Sequence, residues 1–170
     1  MGIQHNIKEL KSSLPPEVSL VAVSKTKPVS DLLEAYQAGQ RIFGENKIQE
    51  MVSKWEQLPK DIQWHMIGHV QTNKVKYMAP FVHTIHAVDR IKLLKEIQKQ
   101  AEKNERIINC LIQIRIAEED TKFGLAASEL DAMLEAAASC SHVKIKGLMG
   151  MATFTSDTDQ IQTEFQKLAQ

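Results

Sequence analysis

Short apolar runs rich in β-branched residues alternate with longer helical patterns along this chain of 170 residues, and this alternation constrains the fold more than any other feature. The six runs cover residues 20–23, 41–43, 63–67, 82–88, 108–116 and 143–149. They recur every 20 to 35 residues or so, roughly the size of a βαβ repeat. Strands that alternate with helices in this way predict a parallel sheet with helices packed on it, which is an α/β fold.

Two parallel architectures fit such a repeat, an open doubly wound sheet and a closed barrel. No G-x-G-x-x-G pattern follows the first run, which counts against a dinucleotide-binding sheet. The strand–helix units follow one another without a long detour. We therefore predict a TIM-type β/α barrel.

A barrel of this type has eight strands, whereas the pattern here supplies about six βα units. The last helical pattern, which carries Ile161, Phe165 and Leu168, stops at Gln170 without a capping residue. A six-stranded barrel would leave two unpaired edges. We therefore expect residues 1–170 to be a single, incomplete barrel domain from a protein that is longer at its C-terminus.

Composition excludes several kinds of function. Lysine and arginine together equal aspartate and glutamate, 21 against 21, so the chain lacks the basic field of a nucleic-acid-binding protein. No apolar run is long enough to cross a bilayer, so we predict no membrane partner. Cys110 and Cys140 stand far apart, outside any metal or redox spacing. Reduced thiols in a cytoplasmic protein are the expectation.

Polar residues follow each of the six runs at the point where the strand should end. They are residues 24–28, residues 44–47, His65 with residues 68–69, residues 89–90, Arg115 with residues 118–124, and residues 149–153. The carboxyl ends of parallel strands share one rim of a barrel, and ligands bind at that rim. Loops are polar in most proteins, but six such clusters together indicate a binding rim.

Lys25 is the most informative residue of these clusters. Side chains alternate along a strand, so Val21, Val23 and Lys25 share one face. If the valines point into the barrel, Lys25 does too, and burial would favour the neutral amine that attacks an aldehyde to form an imine. Spacing alone leaves the alternative open that Lys25 is an outward, solvated lysine, as Lys27 can be.

The histidines offer a weaker case for a site. His65 and His69 are four residues apart but lie across a strand end, and no acid follows His65 as in zinc proteases. We therefore predict no metal site. His69, His83 and His86 are better interpreted as structural histidines.

Several motifs closely resemble the pyridoxal phosphate homeostasis protein family, in order and over nearly the whole chain. They are Val21-Ala22-Val23-Ser24-Lys25-Thr26-Lys27-Pro28, Phe43-Gly44-Glu45-Asn46 with Gln49-Glu50, residues 64–74 from Trp64 to Lys74, Thr121-Lys122-Phe123-Gly124, and Lys146-Gly147-Leu148-Met149. The resemblance implies a barrel like the N-terminal domain of alanine racemase.

The resemblance also implies a ligand and a function. The family's V-S-K-T lysine holds pyridoxal 5'-phosphate (PLP) as an internal aldimine, and this lysine is Lys25 here. Asn46 and His65 match family positions near the cofactor, Lys122 matches a rim lysine that could hold or transfer it, and Met149 matches a position close to its ring. The expected function is a carrier or buffer of PLP in vitamin B6 homeostasis, without catalytic turnover.

Two departures from the family pattern affect this expectation. The family usually has Asn where this chain has Arg115, and Ser where it has Ala117. The family's phosphate-binding loops, with the motifs S-M-G-M-S and R-I-G, correspond to positions beyond residue 170. We therefore expect the fragment to bind PLP weakly or not at all, and the complete protein to bind it well.

Three other functions remain open at the level of sequence. The first is a PLP-dependent amino-acid racemase, which would need a second base on the opposite face of the cofactor, usually a tyrosine from another domain. The second is a Schiff-base aldolase, although its lysine usually lies on a later strand. The third is an interaction protein with an incidental barrel.

The expected partners are the cofactor and apo forms of PLP enzymes, and the expected oligomeric state is a monomer.

Overall fold

The computed structural model describes residues 2–119 and 123–169. A first helix, α1 (Ile3–Ser13), precedes the first strand, β1 (Ala22–Val23). The remaining elements are α2 (Val29–Gln37), β2 (Ile42–Glu45), α3 (Ile48–Gln57), β3 (Gln63–Met66), a 3-10 turn (Thr72–Lys74), α4 (Val75–Met78), β4 (Thr84–Val88), α5 (Ile91–Lys103), β5 (Ile108–Gln113), a second 3-10 turn (Ala127–Glu129), α6 (Leu130–Ala138), β6 (Val143–Met149) and α7 (Thr158–Ala169).

The six strands form one parallel sheet in the order β1-β2-β3-β4-β5-β6. In a doubly wound sheet the strand order reverses at a switch point, whereas in a barrel each strand is added beside the previous one. The sequential order is therefore the barrel order, and the predicted α/β barrel-type architecture with six strand–helix units is confirmed.

The core lies between the sheet and its helices. Right-handed crossovers that always advance in the same direction place the helices on one face of the sheet. Trp64 of β3 is fully buried on that face, together with Met51 of α3 and Ile97 of α5. The opposite face corresponds to the barrel interior, and Val23 on it is 53% exposed.

The predicted strands agree with the observed ones most closely at their centres. β6 begins and ends where the pattern placed it, whereas β1 is two residues rather than four. Helix α1 was not predicted, although Ile3, Ile7 and Leu10 have helical spacing. It packs against α2, and Lys11 Nζ donates a hydrogen bond to the Gly39 carbonyl over 2.8 Å.

No helix in residues 2–119 and 123–169 has both the length and the apolar character that a membrane span requires.

Candidate functional site

The register of the sheet brings the predicted site residues to the same rim. Val23 of β1 pairs with Gly44 of β2, and Gly44 pairs with His65 of β3. Lys25 and Asn46 each lie two residues beyond this row, so they follow neighbouring strands at the same level. His65 lies one level deeper, within β3.

Lys25 occupies a turn just beyond the end of β1. The turn is closed by a hydrogen bond of 3.1 Å from the Lys27 N–H to the Ser24 carbonyl. Lys25 follows β1 within this turn, and its side chain is exposed, as is that of Val23 on the interior face. Among the described residues Lys25 Nζ has no hydrogen-bond or ionic partner, so a primary amine is free at the rim.

Asn46 is exposed at the rim, and its position depends on the neighbouring strand end. A β-carbon added at Gly68 would lie 2.6 Å from the Asn46 carbonyl oxygen and 2.8 Å from its Cα. Only glycine allows this approach of the two backbones. Gly68 therefore holds the segment after β3 directly against Asn46.

Gly44, which pairs with Val23 of β1, lies in a tightly packed part of the interior face. A β-carbon there would lie 3.1 Å from both Val21 Cγ1 and Ile67 Cδ1. The floor below the rim is thus apolar and tightly packed around a glycine.

His65 is part of a histidine cluster on the interior face. Its Nδ1 lies 2.8 Å from Nε2 of His86 on β4, and its ring stacks with that of His83 at a centroid distance of 5.5 Å. Its Nε2 is buried without a hydrogen-bond partner among the described residues. One acceptor or donor position of this ring is therefore available beneath the rim.

Burial keeps this cluster neutral. Desolvation is the main cause that lowers the pKa of His65 to about 3, and the neighbouring His86 and His83 lower it further. Desolvation also lowers the pKa of His83 and of His86. These rings are therefore uncharged hydrogen-bonding groups at neutral pH.

The remaining predicted site residues lie on the far side of the rim or outside the description. Met149 is the last residue of β6 and is half-buried, and its carbonyl accepts a hydrogen bond of 2.9 Å from the Ile114 N–H. Lys122 falls outside the described residues. Arg115 is exposed, and its backbone N–H donates to the Leu125 carbonyl over 3.0 Å.

The segment after β5 contacts the end of β3 across the rim. Phe123 stacks on the His69 ring with centroids 4.2 Å apart, and His69 Nδ1 lies 3.3 Å from Asp89 Oδ2. His69 also borders a pocket of about 270 Å³ that includes Asn46 and Lys74. His69 thus connects the ends of β3 and β4 with the segment after β5 at the rim.

The structure also shows polar contacts near the rim that the sequence interpretation did not identify. His86 was interpreted as a structural histidine, and its Nε2 lies at hydrogen-bond distance, 2.8 Å, from His65 Nδ1. Lys54 and Glu45 form a buried ion pair of 2.7 Å behind the Lys25 turn. The alternation of β4 would have placed His86 on the interior face, and the i, i+4 spacing of Glu50 and Lys54 was readable as a helical ion pair.

No group of histidine, cysteine, aspartate or glutamate side chains suited to a metal ion occurs within the described ranges.

Comparison with protein families matches residues 2–170 to the family described as alanine racemase, N-terminal domain. The chain is 36% identical to a protein from Vibrio alginolyticus named pyridoxal phosphate homeostasis protein, over 99% of this chain and 78% of that protein. It is 38% identical to a protein of the same name from Aquifex aeolicus, over 88% of this chain and 66% of that protein.

A solved structure of PipY from Synechococcus elongatus is similar to the whole described fold. The form without PLP superposes with a TM-score of 0.93 at 33% identity, covering 98% of this chain and 79% of PipY. The form with PLP bound superposes with a TM-score of 0.90 at 33% identity, covering 98% of this chain and 78% of PipY.

Proposed function

The chain belongs to the alanine racemase N-terminal domain family and to the pyridoxal phosphate homeostasis proteins, and on that premise we propose that it binds PLP through Lys25. We propose further that it carries or buffers the cofactor as part of vitamin B6 homeostasis. The observation that carries the proposal is the position of Lys25 just beyond the carboxyl end of β1, where its amine has no partner among the residues that the structure describes.

The residues of the rim fit the aldehyde and ring of this cofactor. An aldehyde needs an amine without a competing carboxylate, and Lys25 Nζ has no ionic partner among the described residues. A flat ring packs on apolar surface, and Val21 and Ile67 supply such surface around Gly44, where a β-carbon would lie 3.1 Å from each of them. A buried His65 Nε2 without a partner offers one polar contact from below.

When bound, PLP supplies an electrophilic aldehyde carbon that a primary amine can attack. Lys25 would hold the cofactor at that carbon. Asn46 lies beside it on the rim and would orient the ring through its side-chain amide, which has no hydrogen bond to the described residues. His65 would contact the ring from one level below, and Met149 would border it from β6.

We propose a role without turnover, since a racemase of this fold needs a second base, usually a tyrosine, and neither tyrosine among the described residues lies on a strand of the rim. The two tyrosines of the chain, Tyr36 and Tyr77, lie on α2 and α4 in the outer helical layer. Tyr36 Oη is engaged by Asp61 at 2.8 Å. The alternative is a racemase-like enzyme of the same family, in which Lys25 would need a partner base on the opposite face.

We propose that residues 1–170 act as one PLP-binding domain, that the protein is a cytoplasmic monomer, and that apo forms of PLP enzymes receive the cofactor from it. Lys122 and Met149 are proposed to help hold it at the rim.

Borohydride trapping tests the role of Lys25. The complete protein is mixed with PLP, reduced with borohydride and digested, and the labelled peptide is identified by mass. We expect the label on Lys25 and its loss in Lys25→Ala, because only a bonded amine is captured by reduction. Lys27→Ala is the matched control, since Lys27 contributes its backbone N–H to the turn and that group remains.

Label at another lysine, or equal label in Lys25→Ala, would refute the proposed site. Racemisation assays on alanine and serine separate the carrier from the enzyme. Turnover that disappears in Lys25→Ala would establish the racemase-like alternative instead.

A further inference from the structure

A buried ionic network forms hydrogen bonds to the backbone on both sides of Lys25. We propose that this network positions the Lys25 turn so that the lysine amine can react with the cofactor. The network, called here the Lys54 network, consists of Ser24, Glu45, Glu50, Lys54 and the backbone N–H of Thr26. This inference rests on the proposed function, because it assigns these residues to the same site.

Lys54 is the centre of the network. Its Nζ donates hydrogen bonds to Glu45 Oε1 over 2.7 Å, to Glu50 Oε1 over 2.6 Å and to the Ser24 carbonyl over 2.7 Å. These three partners use all three donors of the ammonium group. The side chain is only 7% exposed, so its position is fixed by these partners.

Glu45 connects the network to the end of β2. Its side chain is fully buried, and its Oε1 also accepts a hydrogen bond of 2.6 Å from Ser24 Oγ. Its Oε2 is buried without a partner among the described residues. Burying two charges and leaving one oxygen unpaired costs solvation energy, so such a pair is weak evidence for a role in stability alone.

Thr26 connects the network to the other side of Lys25. Its N–H donates to Glu50 Oε1 over 2.6 Å, and its φ is 64°, a left-handed value that is unfavourable for a β-branched residue. Backbone strain of this kind persists only where surrounding contacts enforce it. The Glu50 carboxylate is ionised, since the hydrogen bond from Lys54 is the main cause that lowers its pKa.

The contacts therefore define the turn without engaging the lysine itself. Ser24 is held by its carbonyl and its hydroxyl, and Thr26 is held by its N–H. Lys25 lies between them with no partner among the described residues. Because the residues on both sides of Lys25 are held in place, little conformational entropy is lost when its amine is positioned for reaction. Such positioning favours formation of a covalent bond to the cofactor.

Glu50→Ala is the principal test, with Glu56→Ala as the matched control. Glu50 is a half-exposed residue of α3 whose carboxylate holds Thr26, whereas Glu56 is an exposed residue of the same helix. Two quantities are measured. Hydrogen exchange at the Thr26 and Lys27 amides is followed without cofactor, and the dissociation constant for PLP and the rate of borohydride-trapped label at Lys25 are measured with it.

We expect Glu50→Ala to accelerate exchange at Thr26 by about tenfold or more, because a hydrogen bond to a charged group is lost. We expect the affinity for PLP and the labelling rate to fall by about tenfold, because the loss of one hydrogen bond to a charged group changes an equilibrium by about that factor. Glu56→Ala should match the wild type in both. Glu50→Gln keeps an acceptor oxygen and should recover most of the protection at Thr26.

A double variant, Glu45→Leu with Lys54→Met, tests the buried pair itself. Replacing a buried ion pair by apolar residues of similar volume is often neutral for stability. We expect the double variant to unfold at a temperature similar to the wild type and yet to label Lys25 more slowly. If the double variant does not fold, the Glu50 variants alone decide.

Faster exchange at Thr26 with an unchanged labelling rate and affinity in Glu50→Ala would overturn the positioning role. Unchanged exchange would overturn it as well. Failure of the proposed function looks different, because the wild type itself would then show no label at Lys25.

Discussion

Gly68 shows how a single residue sets the geometry of the rim. The backbone after β3 passes so close to Asn46 that a β-carbon at Gly68 would overlap the Asn46 carbonyl oxygen at 2.6 Å. The atoms it would meet belong to the backbone, so no flexible side chain can move aside. The position of Asn46 therefore depends on the absence of one methyl group.

We predict that Gly68→Ala destabilises the protein by about 1–3 kcal/mol, the usual cost of overpacking. The substitution should also weaken PLP binding, because the segment that carries Asn46 must move. Urea unfolding and PLP titration measure the two effects. Gly2→Ala is the control, since its β-carbon would meet only the flexible end of the Glu34 side chain at 3.2 Å. Equal stability of Gly68→Ala and wild type would contradict the prediction.

At the scale of elements, β3 and β4 together form a histidine pair that neither strand contains alone. His65 and His86 lie on adjacent strands, and the register that pairs His65 with Thr84 brings their rings to 2.8 Å. Burial in this position opposes protonation, so the pKa of His65 falls to about 3. The two strands therefore present a neutral histidine pair to the barrel interior.

This burial predicts how stability depends on pH. The unfolded chain binds a proton at His65 near its ordinary pKa of 6.5, whereas the folded chain binds one only near pH 3. Stability should therefore fall as the pH drops from about 6.5 towards 3, since the unfolded state binds more protons there. His65→Gln should flatten this part of the curve, by up to about 1.4 kcal/mol per pH unit.

Urea unfolding at a series of pH values measures this effect. His5→Gln provides the control, because the His5 side chain is 61% exposed and contributes nothing to the buried histidine cluster. Parallel stability curves for wild type and His65→Gln would show that His65 is not protected from protonation.

At the scale of the whole molecule, Glu164 joins three separate parts of the rim. It lies on α7, is 1% exposed, and accepts hydrogen bonds from the Thr153 N–H over 2.6 Å and from the Glu118 N–H over 3.2 Å. Thr153 follows β6 and Glu118 follows β5. One carboxylate thus holds the loops after two strands against the last helix.

These hydrogen bonds, with those from Thr153 first, lower the pKa of Glu164 to about 2. The stabilisation should be complete above the ordinary pKa of 4.5 and should be lost as the pH falls towards about 2.

We predict that Glu164→Gln lowers the melting temperature by a few degrees at neutral pH and accelerates amide exchange at Thr153 and Glu118. Exchange mass spectrometry measures this, with the exposed Glu135→Gln on α6 as control. Unchanged exchange at both amides would refute the role of Glu164.

Much of the architecture could be predicted from local patterns. The strand runs predicted at residues 63–67 and 143–149 correspond to β3 and β6, because the pattern that predicts a strand between two helices involves only residues close in sequence. Helix α1 was missed although its apolar spacing is regular. The proposed site residues lie at or near strand ends, and they are Lys25, Asn46, His65 and Met149. The role of Lys25 as the cofactor ligand stays a prediction.

The sequence by itself determined the parallel strand–helix repeat, the rim to which the polar clusters belong, and the family motif that contains Lys25. Only the tertiary structure decided which side chains meet there. Ser24 and Glu45 are 21 residues apart, and Ser24 and Lys54 are 30 apart. Such contacts depend on strand register and helix rotation, which arise from packing the whole core, so no local pattern contains them.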